Sequence, residues 1–395
     1  MTNHRKIALL SISLFLLTSC STLVTPVKRE TLSSCYIVFD AGSSGTRLYV
    51  YEKQGTNWLE HAGPKVTALA DPIREIRGKK NTDIEAVTTE VVAALDNMTQ
   101  DGPIDKKGKP AWIGFNWSKQ CQVVASMVYA TAGMRLAEQE DREKSIALWT
   151  TLKQKLQAKV GDAVAVTTRT LTGYEEGLYA WLAVRTQKQH NTFGIAEMGG
   201  ASSQVTFPCS QCDVADDALK LVLVNGSPLP IYSYSFLGLG QDEAPTTLGM
   251  PESCAYGIGT TQSDWNVNDC ANQIPITDTQ GIHDPYNFNG QKRGTYRQIP
   301  TSSADVTDWF LTGAFNYMDE SQIDACCLNK GPCFNEATSC FRAVYLEEYL
   351  QSLNIPTNAA KMDVSWTLGA VMCAAENCLQ NATAPICRWS DKGCL

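Results

Sequence analysis

Val38-Phe39-Asp40-Ala41-Gly42-Ser43-Ser44-Gly45-Thr46-Arg47, running on into Leu48-Tyr49-Val50-Tyr51, decides how the chain is read. The apolar residues 36–39 predict a buried strand. A carboxylate and a run of tiny and hydroxylated residues follow, then a second strand. Such a strand–turn–strand element presents backbone N–H groups and hydroxyls at one point. Glycine lets the main chain approach a ligand without a Cβ in the way. Clustered N–H groups form an anion nest, so a phosphate chain is the natural occupant. Asp40 would repel phosphate directly, and its expected role is to hold a hydrated Mg²⁺ or Ca²⁺. An ordinary hairpin turn, which Gly and Ser also favour, is the plain alternative.

The motif recurs in kind. Glu197-Met198-Gly199-Gly200-Ala201-Ser202-Ser203 also follows an apolar strand and leads into another. Two such loops predict two similar halves facing each other across a cleft. Around them helical and strand patterns alternate, which makes the class α/β. Residues 82–98 read as an amphipathic helix opened by a Thr82–Glu85 capping box, with Ile84, Val87, Val91, Leu95 and Met98 on one face. Residues 145–160 read as another, with Ile146, Trp149, Leu152, Leu156 and Val160 in register. Strands are expected at 121–129, 163–167, 193–198, 219–224 and 230–236. Helices are expected at 174–184, 304–315, 341–353 and 366–380. Residues 250–300, rich in Gly, Asn, Asp, Thr and Pro, read as long loops.

At 395 residues the chain has room for two or more domains. Its formal charge of −8 argues against a nucleic-acid surface. Arg5 and Lys6 precede an apolar run over 7–17 and a small-residue end at Thr18-Ser19-Cys20, the order of a signal peptide over 1–20. Residues 17–20 also resemble a bacterial lipobox, which would lipidate Cys20. Residues 21–34 read as a tether, and no later stretch reads as a transmembrane span. Of 15 cysteines, setting Cys20 aside leaves an even number, which in an exported chain implies disulfides. Close neighbours are Cys209 and Cys212, Cys254 and Cys270, Cys373 and Cys378, Cys387 and Cys394. Cys326, Cys327, Cys333 and Cys340 form a denser group. Such local bridges are expected to pin loops.

Five stretches then read together: residues 40–47, 130–135, 175–181, 197–204 and 238–242. Their order, composition and context resemble the five apyrase motifs of the nucleoside triphosphate diphosphohydrolases, within the actin, heat-shock-chaperone and sugar-kinase superfamily. One motif alone would be weak; five in order are specific, and they span most of the mature chain. The resemblance implies two ribonuclease-H-like (actin-like) lobes with the active site between them. Residues 35–160 plus 355–395 would form lobe one. Residues 161–354 would form lobe two, with a Cys- and loop-rich insert near 250–340.

The resemblance also implies roles. Ser43, Ser44, Gly45 and Thr46 would be one phosphate clamp; Gly199, Gly200, Ala201 and Ser203 the other. Asp40 and Glu197 would hold metal-bound waters. Glu176 matches the catalytic base, Thr131 and Gln204 match residues placing the attacking water, and Ser202 sits beside them. Tyr345 matches a residue stacking on the nucleobase, and residues 366–369 resemble a late motif adjoining the metal. Arg47 and Arg135 read instead as structural ion pairs. Thr131 as a turn cap and Tyr345 as core are the plain alternatives. The first-turn position of Glu175 and Glu176 is expected to favour their ionised forms. The sequence departs from the family at Gly45, where many vertebrate members carry His, and at Glu197, where Asp is usual.

The implied activity is metal-dependent removal of terminal phosphate from nucleoside triphosphates and diphosphates, ending at monophosphate, by in-line water attack and without a phosphoenzyme. Terminal phosphate hydrolysis needs fixed phosphates, offset charge and an aligned water, which these residue types supply. An exopolyphosphatase or guanosine-pentaphosphate phosphohydrolase would share the loops and the Glu. A nucleotide-binding module is the non-catalytic reading. The chain is expected to act as a monomer, exported to a periplasmic, secreted or outer-membrane location in a bacterium.

Overall fold

Hairpins built on the two glycine-rich turns anchor two sheets. The computed structural model describes residues 32–74, 83–254, 266–274, 276, 284, 298–317, 327 and 338–380, and the backbone of 389–390 and 393–394. The leader and Cys20 lie outside the described residues. The described residues from 33 onward form one compact unit. Its first strand, β1 (Ser33–Gly42), already begins within the stretch read as a tether.

The first sheet has five strands in the order β3-β2-β1-β4-β5. β1, β2 (Gly45–Gln54) and β3 (Asn57–Val66) form an antiparallel meander. β4 (Cys121–Ala130) and β5 (Ala165–Thr170) add on parallel to β1. The parallel steps need crossovers, and helices α1 (Ile84–Asn97), α2 (Ala132–Glu140) and α3 (Arg142–Val160) lie within them. After α4 (Gly173–Lys188) a second sheet repeats the plan, with six strands in the order β11-β10-β6-β7-β9-β8. β6 (Phe193–Met198), β7 (Ser202–Pro208), β8 (Leu219–Val224) and β9 (Ser227–Leu237) are joined antiparallel. β10 (Asp308–Gly313) and β11 (Ala360–Lys361) then run parallel to β6. Helix α5 (Ser339–Ser352) lies between β10 and β11, and α6 (Trp366–Glu376) follows them. The echo between the two loops in sequence is thus an echo between two sheets.

Alternation along each first strand divides the core into layers. Ile37, Phe39 and Ala41 of β1 face α1 and α3, while Val38 faces inward. Phe193 and Ile195 of β6 face the same inner layer, while Ala196 and Met198 face α5. The inner layer is filled by α4 and α6, which cross between the sheets. They can do so because position 369 is glycine: a Cβ there would overlap the main-chain carbonyl of Tyr179.

Several elements depart from the sequence reading. Asp83, not Thr82, caps α1, its side chain accepting from the Ala86 N–H at 2.7 Å. Thr82 itself lies outside the described residues. α3 buries Ser145, Leu148, Leu152 and Leu156 and packs Trp149 and Val160 against the same core, so the predicted face holds except at Ile146, which is 55% exposed while Leu148 takes its place. Residues 308–313 form a strand rather than part of a helix, because β6 offers a parallel edge there. β5 belongs to the first sheet, which moves the lobe boundary from 160 to beyond Thr170. β11, within the stretch expected to return to lobe one, pairs in the second sheet.

Among the described residues the bridges are Cys35–Cys121, Cys209–Cys212, Cys254–Cys270, Cys327–Cys340 and Cys373–Cys378. The first, over a separation of 86, ties two neighbouring strands and is not a loop staple. The pairing of Cys387 with Cys394 lies outside the described residues. No helix among the described residues is long and apolar enough to cross a membrane.

Gly369→Ala should destabilise the chain by about 2 kcal/mol or more, since its methyl meets backbone that cannot yield. Denaturant unfolding of the variant checks this.

Candidate active site

The turns after β1 and β6 face each other across a cleft of about 990 Å³. Its lining includes Asp40, Ser43 and Ser44 from one half and Glu197, Gly199, Gly200, Ala201 and Ser202 from the other, with Thr131 and Glu176 between. The approach is close: a Cβ on Gly200 would collide with the Ser43 hydroxyl, and one on Gly133 would crowd the Ser43 backbone. The carbonyls of Gly199, Gly200 and Ala201 accept from the N–H groups of Gln241, Asp242 and Gly238 at 2.9, 2.7 and 2.8 Å. That use of the 238–242 stretch holds the second turn and ties up oxygens that would repel an anion.

Not every predicted residue reaches the cleft. Gly45, Thr46, Ser203 and Gln204 lie behind it. Thr46 is fully buried. Ser203 Oγ donates to the Glu197 carbonyl at 2.9 Å and so closes the turn rather than lining it. Gln204 Nε2 donates to Ser202 Oγ at 2.6 Å and Ser235 Oγ at 2.9 Å, orienting Ser202 from beneath. Tyr345 is fully buried, with its hydroxyl donating to the Leu239 carbonyl at 2.6 Å and its ring stacked on Phe341. It is core, because the helix face that meets the cleft carries Arg342, Ala343 and Leu346 instead. Tyr317, 80% exposed, lines the cleft, and sequence reading missed it. Only the end of β10 at Gly313, hidden by reading that stretch as helix, would have placed it.

Glu176 is set by the start of α4. Thr172 and Glu175 form a reciprocal capping box. Arg169 at the end of β5 donates to both Glu175 oxygens, at 2.8 and 2.5 Å. Burial pushes Glu175 up, but Arg169 and the Thr172 hydrogen bonds outweigh it and hold the carboxyl below its ordinary range. The next residue turns into the cleft. Burial pushes Glu176 up to about 7, against the pull of Arg135, with Asp40 and Asp284 adding to the rise. The expectation of an ionised first turn therefore holds for Glu175 and fails for Glu176, because desolvation exceeds the helix dipole.

Arg135 is fully buried. Its guanidinium donates to Glu176 Oε2 at 2.7 Å, Asp284 Oδ2 at 2.5 Å, Ser202 Oγ at 3.1 Å and Ser235 Oγ at 3.2 Å. The ion-pair reading of Arg135 therefore stands. Arg47 likewise sits 3.5 Å from Asp40. Thr131 begins α2 without a side-chain cap bond, which disfavours the turn-cap alternative.

Asp40 is pushed up to about 6 by burial, opposed by Arg47, by the Trp366 indole N–H and by Lys65. Glu197 is raised well above its usual range by burial and by Glu176 and Asp40, and its Oε2 is buried without a partner. A partnerless buried carboxylate oxygen beside other carboxylates is what a divalent cation would satisfy. Among the described residues no three His, Cys, Asp or Glu converge on one point. The donors present fit an ion held through waters by Asp40 and Glu197.

Duplicated sheets with a carboxylate-lined cleft between paired glycine turns define a two-lobed protein of the actin-like, ribonuclease-H-like class. A solved structure of nucleoside triphosphate hydrolases from Neospora caninum shares the fold: TM-score 0.51, 13% identity, covering 86% of this chain and 92% of that one. The chain belongs to the GDA1/CD39 (nucleoside phosphatase) family, whose model matches residues 27–340. It is similar to the ectonucleoside triphosphate diphosphohydrolase 1 of Rattus norvegicus, 28% identical over 53% of this chain and 41% of that protein. It is 27% identical to a nucleoside-triphosphatase of Pisum sativum over 55% of this chain and 47% of that protein. For the Golgi apyrase of Saccharomyces cerevisiae the figures are 29%, 53% and 36%. The chain thus spans less than half the length of these curated relatives.

Arg135→Leu should cost about 3–5 kcal/mol of stability, because it leaves two buried carboxylates without their counter-charge. Urea unfolding measures it, and a loss within experimental error would show that the pair is relieved elsewhere.

Proposed function

We propose that this chain is an apyrase: a metal-dependent hydrolase that takes terminal phosphate from nucleoside triphosphates and diphosphates and ends at monophosphate. One observation carries the reading. Two facing glycine–serine turns border the same cleft as Glu176, whose carboxyl is held by Arg135. The Ser43–Ser44 and Gly199–Ala201 turns cradle the phosphate chain. Glu176 takes the proton of a water attacking in line, and Thr131 and Ser202 fix that water, with Gln204 orienting Ser202. Mg²⁺ or Ca²⁺, held through waters by Asp40 and Glu197, would offset the phosphate charge. The base is placed toward Tyr317, Ala343 and Leu346 rather than Tyr345. The bridges among the described residues suit an oxidising compartment and, with the leader, support export, with Cys20 as the lipid anchor in a bacterial cell.

The direct test is phosphate release from ATP, ADP and polyphosphate with Mg²⁺ or Ca²⁺. Release from both nucleotides is expected; release from polyphosphate alone would point to a polyphosphatase, and none from any to a binding module. Glu176→Gln should lower turnover by about 10³-fold while nucleotide binding persists. EDTA should silence the enzyme. Glu176 works only deprotonated, so the rate should fall on the acid side of about pH 7. A bound cation favours the ionised form, so raising the metal concentration should move that limb to lower pH.

A further inference from the structure

Where β10 ends, it lies against the carboxylate of Glu197. β10 and β6 run parallel, with Thr312 opposite Glu197 and Gly313 opposite Met198. Side chains alternate between faces along a strand, so opposite partners in a parallel pair point to the same side. Phe310 of β10 and Ile195 of β6 belong to the inner layer. Thr312 and Glu197, each two residues further on, therefore point to that same side at the cleft end of the sheet. Position 313 is held to glycine by a φ of +65° and by a Cβ that would meet the Met198 carbonyl and come to 2.9 Å from Glu197 Oε1. Position 313 thus puts no side chain into the space beside the carboxylate. Thr312 is 1% exposed, and its Oγ1 is buried without a hydrogen-bond partner among the described residues, as is Glu197 Oε2. Thr46 and Ser126 also bury an unpartnered hydroxyl, but they stand opposite Ala41 and Val66, and Ile37 and Val166. Of the three, Thr312 alone stands opposite a carboxylate.

We propose that Thr312 is a positioning residue of the cation site: with Glu197, its hydroxyl holds a water of the ion's hydration shell from behind the cleft wall at Gly313. The inference rests on the metal-dependent reading and adds to it a group from a strand that neither Asp40 nor Glu197 occupies. A buried hydroxyl left unmatched is costly, and a site with two orphaned polar atoms is polar enough to hold a water. A water in the shell of a cation turns its oxygen to the ion and has both hydrogens to donate. Glu197 Oε2 accepts one and Thr312 Oγ1 the other. Without the ion the two atoms have nothing in common to bind, which accounts for both being without a partner at once. Valine would fill nearly the same space on β10 and bury no polar atom, so packing alone gives no reason for threonine here. Groups that stand behind a metal site in this way fix the orientation of what lies in front of them.

Thr312→Val keeps the shape and removes the hydroxyl. The free Mg²⁺ or Ca²⁺ concentration that half-saturates the full chain, with a non-hydrolysable triphosphate analogue present, can be read by calorimetry and from the rise in melting temperature. It should be about ten-fold higher or more in this variant, the usual weight of a group behind a metal site. Thr312→Ser, which restores the hydroxyl, should recover most of the loss. If Thr312→Val does not fold, Thr312→Ser against Thr312→Ala makes the same comparison, and the serine variant should bind the cation about ten-fold tighter. A merely structural threonine would instead lower the melting temperature in EDTA and leave the rise on adding cation unchanged. Cation affinity in Thr312→Val equal to that of the unaltered chain overturns this inference alone. Failure of the unaltered chain to bind either cation with the analogue present overturns the metal-dependent reading as well.

Discussion

Three carboxylates share one cleft, and their mutual repulsion is the constraint the rest of the site answers. Asp40 raises the proton affinity of Glu176 and of Glu197, and Glu176 raises that of Glu197, on top of what burial already does. Left alone, such a group would protonate or unfold its surroundings. Each is met differently. Asp40 has Arg47 and the Trp366 indole; Glu176 has Arg135; Glu197 Oε2 has no partner among the described residues. A cleft built only for stability would not keep an oxygen in that state. The counter-charge supplied to the three carboxylates is thus graded.

The fold delivers these groups because it is a duplication. β1 and β6 each end at a carboxylate-bearing strand and a glycine turn, and each is the strand to which later strands add in parallel. The crossing of α4 and α6 fixes the spacing of the sheets, and α4 begins where the capping box and Arg169 pin it. The seam is sealed by Ala132 and Leu136 of α2 against Ala201 and Leu237. Small side chains let the two halves approach. Arg135, from that same helix, then reaches across to Glu176, Ser202 and Ser235. A residue of the helix that packs on the first sheet thus holds Glu176 at the start of α4 and Ser202 at the start of β7.

What the sequence made legible follows from what is local. The turn at Gly42–Gly45, its echo at Gly199–Ala201 and the start of α4 are each written in contiguous residues, and the structure brings them to one cleft. What escaped was decided at a distance. Residues 308–313 carry no strand signal strong enough to show that β6 has an open edge. The face of α3 depends on which neighbours it meets, so Leu148 displaces Ile146 from the core. Tyr345 took its base-stacking role from the family resemblance, while its place on a helix with Phe341 and Val344 already allowed core; which way the helix turns was not readable. The long-range Cys35–Cys121 bridge was hidden among cysteines with closer neighbours.

The two ends of the cleft are consequently built to different tolerances. At one end, the turns are fixed by backbone hydrogen bonds, by close glycine contacts and by a buried guanidinium, so their donors are preorganised. At the other end stand Ala343, Leu346 and the 80% exposed Tyr317. Stacking and apolar contact reward any planar base and distinguish poorly among them. On the proposed reading, selectivity in such a cleft would come from the number and register of the phosphates, because among the described residues it is at the turns that polar groups are held in place.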